Sequence, residues 1–172
     1  MIAGAAGALL CVTAGLSLGM AIREKWFARK QMLTQTQELL GRLRLLLSQE
    51  RLGLCDLLTE CAHGVPGGMA QRFLLAAENL RREPLLSLPE AYRAAEQLTR
   101  LPGEGAAERE ALRRLFGELS IGTAAMREAA AAGCLRRLKP AAEEAERRCS
   151  TGGRLCVQLG LLAGIMAGII LW

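Results

Sequence analysis

Apolar residues recur along this chain at helical spacing, and no run with the two-residue period of a strand occurs anywhere. From Gln31 onward Leu33, Leu40, Leu43, Leu47, Leu54 and Leu57 are spaced in steps near three and four, with Arg, Gln and Glu between them. This pattern predicts an amphipathic helix of unusual length, broken only by Gly41 and Gly53, that continues the apolar N-terminal segment. It ends at Gly64-Val65-Pro66-Gly67-Gly68, whose residues favour a turn. Glu50 stands where the apolar stripe expects Leu, so the seam is interrupted there.

A second helix is expected from about Met69 to Arg82, with Phe73, Leu74, Ala77 and Leu80 inward, stopping before Pro84. A third starts at Ser87-Leu88-Pro89-Glu90, where the Ser hydroxyl caps a free N–H, Glu90 reaches back, and proline fits the first turn. It presents Ala91, Ala94, Ala95 and Leu98, then meets the Pro102-Gly103-Glu104-Gly105 loop. A fourth, about Ala106 to Leu119, carries Leu112, Leu115 and Phe116 inward and Glu108, Arg109, Arg113 and Arg114 outward. After a turn at 120–123, Thr123 caps a last long helix through Met126, Ala130, Cys134, Leu135 and Leu138. Pro140 is expected to kink this helix, and Gly152 and Gly153 to form a hinge in the stretch 150–153. The expected turns therefore fall near 64–68, 84–88, 102–105 and 120–123, and the fold class is all-α, a helical bundle packed mostly by Leu and Ala.

Both ends of the chain lack charge. All 22 Lys and Arg and all 17 Asp and Glu lie between Arg23 and Arg154. At the helical rise the uncharged segments 1–22 and 155–172 would extend roughly 33 Å and 27 Å, which matches a bilayer core. A secretory signal requires positive residues before its apolar run, whereas Arg23, Lys25, Arg29 and Lys30 follow it. Residues 1–22 are therefore expected to be a retained transmembrane helix, and residues 155–172 a second one, preceded by Arg147, Arg148 and Arg154. The second segment has one polar side chain, Gln158, near its start. Positive residues on the inner side of both segments place residues 23–154 in the cytoplasm and both termini outside. Trp26 and Trp172 then fall at opposite membrane faces. Gly15 and Gly19 form one G-x-x-x-G, and Gly160, Gly164 and Gly168 repeat the spacing. Such glycines let helix backbones approach closely in lipid, so they are expected to form a packing seam, either between the two spans or with another protein.

Candidate chemistry is sparse. Cys55, Cys61 and His63 bring soft ligands close in sequence, yet their spacing does not suit a closed zinc site and no C-x-x-C occurs. Free cysteines of a cytoplasmic domain act as small apolar side chains. No Gly-Lys-Ser/Thr follows a glycine-rich turn, which excludes an ATPase of the P-loop type. Glu143, Glu144 and Glu146 form a charge run beside Arg147 and Arg148, expected to be a solvated helix face. A net charge of +5, one His and few aromatic residues argue against catalysis and against nucleic-acid binding. No catalytic residue, cofactor or small-molecule substrate is expected.

The stretch Phe116-Gly117-Glu118-Leu119-Ser120-Ile121-Gly122, the Ala- and Glu-rich helix after it, and Leu159-Gly160-Leu161-Leu162-Ala163-Gly164 in the final apolar segment together resemble the stage III sporulation protein AB family of endospore-forming Firmicutes. The Ala91-Tyr92 pair is similar to an Ala-Trp feature of that family. The resemblance implies a non-catalytic platform in the mother-cell membrane facing the engulfed forespore, part of a transenvelope channel complex. It further implies a helical fold shared with platform proteins of type II secretion and type IV pilus machines, with other stage III channel proteins and an ATPase as partners. Two other readings stand beside it: a generic helical membrane adaptor of another envelope system, and a metal- or redox-responsive membrane sensor built on Cys55, Cys61 and His63.

Overall fold

The computed structural model describes residues 2–48 and 52–152, together with 158, 159, 162, 163 and 166, with side chains of the first helix described from Thr13 onward. Among the described residues the chain forms six α-helices and no strand: α1 (Ile2–Leu47), α2 (Leu54–Ala62), α3 (Gly68–Arg82), α4 (Leu88–Leu98), α5 (Ala106–Ser120) and α6 (Ala124–Arg147), followed by a π-helical turn, Arg148–Gly152. Two compact units are present, one of residues 31–142 and one of residues 1–30 with 143–172. Among the described residues no helix is long and apolar enough to cross a membrane. The expected second span, 155–172, lies outside the described residues except at the five positions named, as do the first twelve side chains of the expected first span.

The N-terminal apolar segment and the amphipathic stretch after it form one helix, α1, as the periodicity predicts. The stretch does not, however, stay helical to residue 63. It stops at Leu47, and α2 begins after Gly53, whose extended backbone (φ −65°, ψ 156°) starts a new helix. Glu50 lies outside the described residues. On an unbroken helix residues 39 and 61 would stand roughly 33 Å apart. Instead the Cys61 Sγ donates to the Leu39 carbonyl at 3.0 Å, and the Arg42 guanidinium donates to the His63 carbonyl at 2.9 Å. The leucine stripe is continuous in sequence because both helices bury it in one core: Leu33, Leu39, Leu40, Leu43 and Leu47 from α1, Leu57 and Leu58 from α2.

Beyond that reversal, α3 packs on α2 and on α4, and α4 packs on α5. The start of α4 is the reciprocal cap that its sequence predicts. The Ser87 backbone N–H and hydroxyl both donate to Glu90 Oε2, at 2.9 and 2.5 Å, and these bonds hold the Glu90 carboxyl below its ordinary range. At the start of α6 the Thr123 hydroxyl accepts from the Met126 N–H at 3.5 Å and its carbonyl from Arg127 at 3.0 Å. The chain remains helical through Pro140, which is exposed, and its helical path continues to Gly152 in the π turn. The turn between α2 and α3 needs Gly67, whose φ of +113° is open to few other residues, and the Gln35 amide lies over it.

The helical faces differ from expectation at three side chains, and a fourth, Arg72, is buried where the apolar pattern assigned it no place. Leu74 and Leu98 are exposed, whereas Glu108 is buried. Met69, Phe73, Ala76 and Ala77 define the buried face of α3, and Arg72 lies within that arc. Its guanidinium is fully satisfied. Nη1 and Nη2 donate to the two carboxylate oxygens of Glu104 at 2.6 and 3.0 Å, Nε to Thr99 Oγ1 at 3.0 Å, and Nη2 to the Thr99 carbonyl at 2.8 Å. A longer bond from Nη1 reaches the Tyr92 hydroxyl at 3.3 Å. The Tyr92 ring stacks on Phe116 at 3.9 Å, and Phe116 meets Phe73 edge to face at 5.2 Å. Burial opposes the charge of Arg72, but its bonds to Glu104 and Tyr92 outweigh that, and the guanidinium titrates above its ordinary value. One residue of α3 thereby ties down α4 and the α4–α5 loop, while the ring stack carries the tie to α5.

Removing one partner of a buried pair leaves the other charge without compensation, at a cost of about 3–5 kcal/mol. We expect Glu104→Ala to lower stability by that amount in urea unfolding of the full chain in detergent. The double replacement Arg72→Met with Glu104→Leu should recover most of the loss. An unchanged midpoint for Glu104→Ala would show that the pair is not structural.

Candidate functional site

In the 31–142 unit a groove of about 1110 Å³ is bounded by α4, α5 and α6. Two helix faces form it. On α5 Glu110, Arg114 and Gly117 follow each other at four- and three-residue spacing, with Arg113 beside Arg114; on α6 Met126, Ala130, Gly133 and Arg137 recur at the same spacing. The floor is apolar. Leu115 is buried there, and Ile121 and Met126, at 76% and 60% exposure, offer uncovered surface. The rim is basic, with Arg93, Arg113, Arg114, Arg136 and Arg137 against Glu110 and Glu118. Arg113 is already engaged: its Nε and Nη2 donate to the two oxygens of Glu96 on α4, at 2.8 and 3.1 Å. That fork joins α4 to α5 and fixes one wall, and the bonds to Glu96 raise the Arg113 guanidinium above its ordinary value. The other four arginines form no ion pair among the described residues.

In the unit of residues 1–30 and 143–172, the expected membrane-face residues fall on α1, on the end of α6 and on the turn after it. Arg23, Lys25, Arg147 and Arg148 are exposed, and Arg148 pairs with Glu144 one turn earlier. Lys30 is tied to Glu146, its Nζ lying 2.8 and 2.7 Å from the two carboxylate oxygens. This hydrogen bond raises the Lys30 ammonium above its ordinary value. Arg29 is half-buried, and Arg154 lies outside the described residues. The Trp26 ring rests against Gly152, where a Cβ would come within 2.3 Å of a ring carbon. Gly19 is buried although Leu18 and Met20 beside it are exposed, and Gly15, one turn before, is half-buried. Gly160, Gly164, Gly168 and Trp172 lie outside the described residues.

The candidate metal ligands are not assembled into a site. Cys61 is fully buried with its thiol on the Leu39 carbonyl, Cys55 is half-buried, and the His63 side chain is exposed at the end of α2. Among the described residues no group of three or more His, Cys, Asp or Glu is placed to hold a metal ion. Burial pushes the Cys61 thiol up to about 12 and the Cys134 thiol up to about 11. Both are neutral near pH 7, and a thiol rather than a thiolate neither attacks nor ligates.

The groove was not visible in the sequence, because its arginines read as an ordinary solvated face. The available signal was the pair of helix-interior glycines, Gly117 and Gly133, which interrupt otherwise good helix formers. Compared with known proteins, the chain matches the family model described as stage III sporulation protein AB over residues 4–172. No curated protein and no solved structure matches it.

The thiol environments give a direct check. At pH 8 a water-soluble maleimide should label Cys55 while Cys61 and Cys134 react at least about tenfold more slowly, and all three should label in urea. The sign follows from the raised values. Neutral buried thiols contribute their stability in full below pH about 9, the ordinary thiol value, and it is lost as the pH rises toward 11 to 12. Rapid native labelling of Cys61 would contradict its placement.

Proposed function

Because the chain belongs to the stage III sporulation protein AB family, we propose that it is a non-catalytic platform of the mother-cell transenvelope channel complex, anchored in the membrane by its two uncharged ends. The observation that carries this reading is the distribution of charge. Every Lys, Arg, Asp and Glu lies between residues 23 and 154, and positive residues stand at the inner edge of each uncharged end, Arg23, Lys25, Arg29 and Lys30 at the first and Arg147, Arg148 and Arg154 at the second. In this reading residues 1–22 and 155–172 span the bilayer, the helical bundle stands in the cytoplasm, and both termini lie outside. Arg23, Lys25, Arg29, Lys30, Arg147, Arg148 and Arg154 hold the inner face, where anionic lipid attracts them.

Its action is positional. The ring stack and the buried Arg72 make the bundle a rigid body, and the bundle presents its outer surface to the other stage III channel proteins, including a partner ATPase that supplies the energy this chain is not built to extract. The Lys30–Glu146 pair and the seat of Trp26 on Gly152 favour a fixed pairing of the two stretches that lead to the membrane. Gly15 and Gly19, with Gly160, Gly164 and Gly168, serve as the seam along which spans associate; the burial of Gly19 between exposed neighbours supports this. Close backbone approach at such glycines is what drives association in lipid, since lipid tails already satisfy apolar side chains.

Two measurements test the reading. A reporter active only in the cytoplasm, inserted at Gly103, should be active in sporulating cells; activity only of an exported reporter at that site would overturn both the topology and the docking role. Gly164→Leu should weaken association at least several-fold in a membrane two-hybrid assay and lower spore yield. Unchanged association would remove the seam.

A further inference from the structure

We infer that the groove between α5 and α6 receives an amphipathic, acidic helix of a partner protein, laid with its apolar side on Ile121 and Met126 and its carboxylates among the free arginines. The inference rests on the platform reading and specifies the partner's chemistry. Three observations carry it. First, at about 1110 Å³ the groove exceeds the usual range of a small-molecule site, and it is lined by side-chain rows from two helices, an arrangement that suits a docked helix. Second, the rim holds Arg93, Arg114, Arg136 and Arg137 exposed and without ion-pair partners among the described residues, above a floor of uncovered apolar side chains. Arginine on such a rim suits carboxylates, which it binds in a planar fork.

The third observation concerns glycine. Gly117 and Gly133 lie inside α5 and α6, where glycine is unfavourable relative to alanine, and both line the groove. A Cβ built on either would meet no atom within 4 Å, so neither glycine is required by the chain's own packing. What the two absent side chains preserve is open space in the groove, and a docked backbone would use it. A second copy of this chain is a poor occupant, because much of its acid is spent: Glu38, Asp56, Glu78, Glu96, Glu104, Glu128, Glu144 and Glu146 are all in ion pairs. Its net charge of +5 would also oppose a basic rim.

The test places a photo-crosslinking amino acid at Met126 in the full chain in sporulating cells, maps the adducts by mass spectrometry, and measures binding of the mapped segment as a labelled peptide to the purified full chain in detergent. We expect an adduct with a segment of another protein that is net acidic and has apolar residues at helical spacing. Arg136→Glu with Arg137→Glu should weaken the peptide about tenfold or more, with recovery when the peptide's carboxylates are replaced by Lys. Gly133→Leu, which fills the groove from a position with room for it and removes an unfavourable helix-interior glycine, should abolish the adduct without lowering thermal stability. Adducts only to a second copy or to lipid, no adduct, a segment without net acid, or binding indifferent to both sets of variants would each overturn the inference. The reporter at Gly103 separates the two claims: a cytoplasmic reporter with a failed groove leaves the platform intact, and an exported reporter removes the platform whatever the groove binds.

Discussion

The buried ion pair of Arg72 with Glu104 is the constraint around which the bundle is organised. A guanidinium removed from water is tolerated only when its donors are matched, and here Glu104, Thr99 and Tyr92 take all of them. The partners come from α4 and from the loop after it, so the charge cannot be satisfied unless α3, α4 and that loop hold one geometry. An apolar core of Leu and Ala would permit many helix packings of similar energy. A charge with five fixed donors permits far fewer. The pair therefore contributes definition to the bundle more than net stability, since well-packed apolar residues in the same place would hold it about as tightly.

That definition passes to the surface. Tyr92 accepts from Arg72 on one side and stacks on Phe116 on the other, which sets the position of α5 against α4. Glu96, one turn after Tyr92, then meets Arg113 in a two-bond fork, and Arg113 is part of the groove wall. A continuous chain of contacts thus runs from the buried pair to the basic groove. Electrostatic rims of this kind steer association and select partners more than they add affinity.

Much of the fold was legible in the sequence because local chemistry and global packing agree there. Ser87 with Glu90, Thr123 at the start of α6, and the glycine turn before α3 each carry a backbone requirement that few residues meet, and each marks its boundary correctly. The reversal between α1 and α2 was not legible, because the leucines of both helices enter one core and so preserve a single period across the break. Arg72 was missed for a related reason: periodicity counts an arginine as solvent-facing, and its partners, Thr99 and Glu104, stand 27 and 32 residues away. Leu74 and Leu98 failed in the opposite sense, as leucines at plausible inward positions left exposed where no neighbouring helix covers them. The site suffered most, since a groove is a relation between two helices and neither α5 nor α6 shows it alone.

Amide hydrogen exchange of the full chain, compared between the native protein and Glu104→Gln, tests the organising role of the buried pair most directly. If the pair couples the elements it touches, protection should fall together across Gly68–Arg82, Leu88–Leu98 and Ala106–Ser120, with the leucine-packed Met32–Leu47 stretch of α1 least affected. A loss of protection confined to the loop at 99–105 would contradict it, and would reduce Arg72 to a local anchor of that loop.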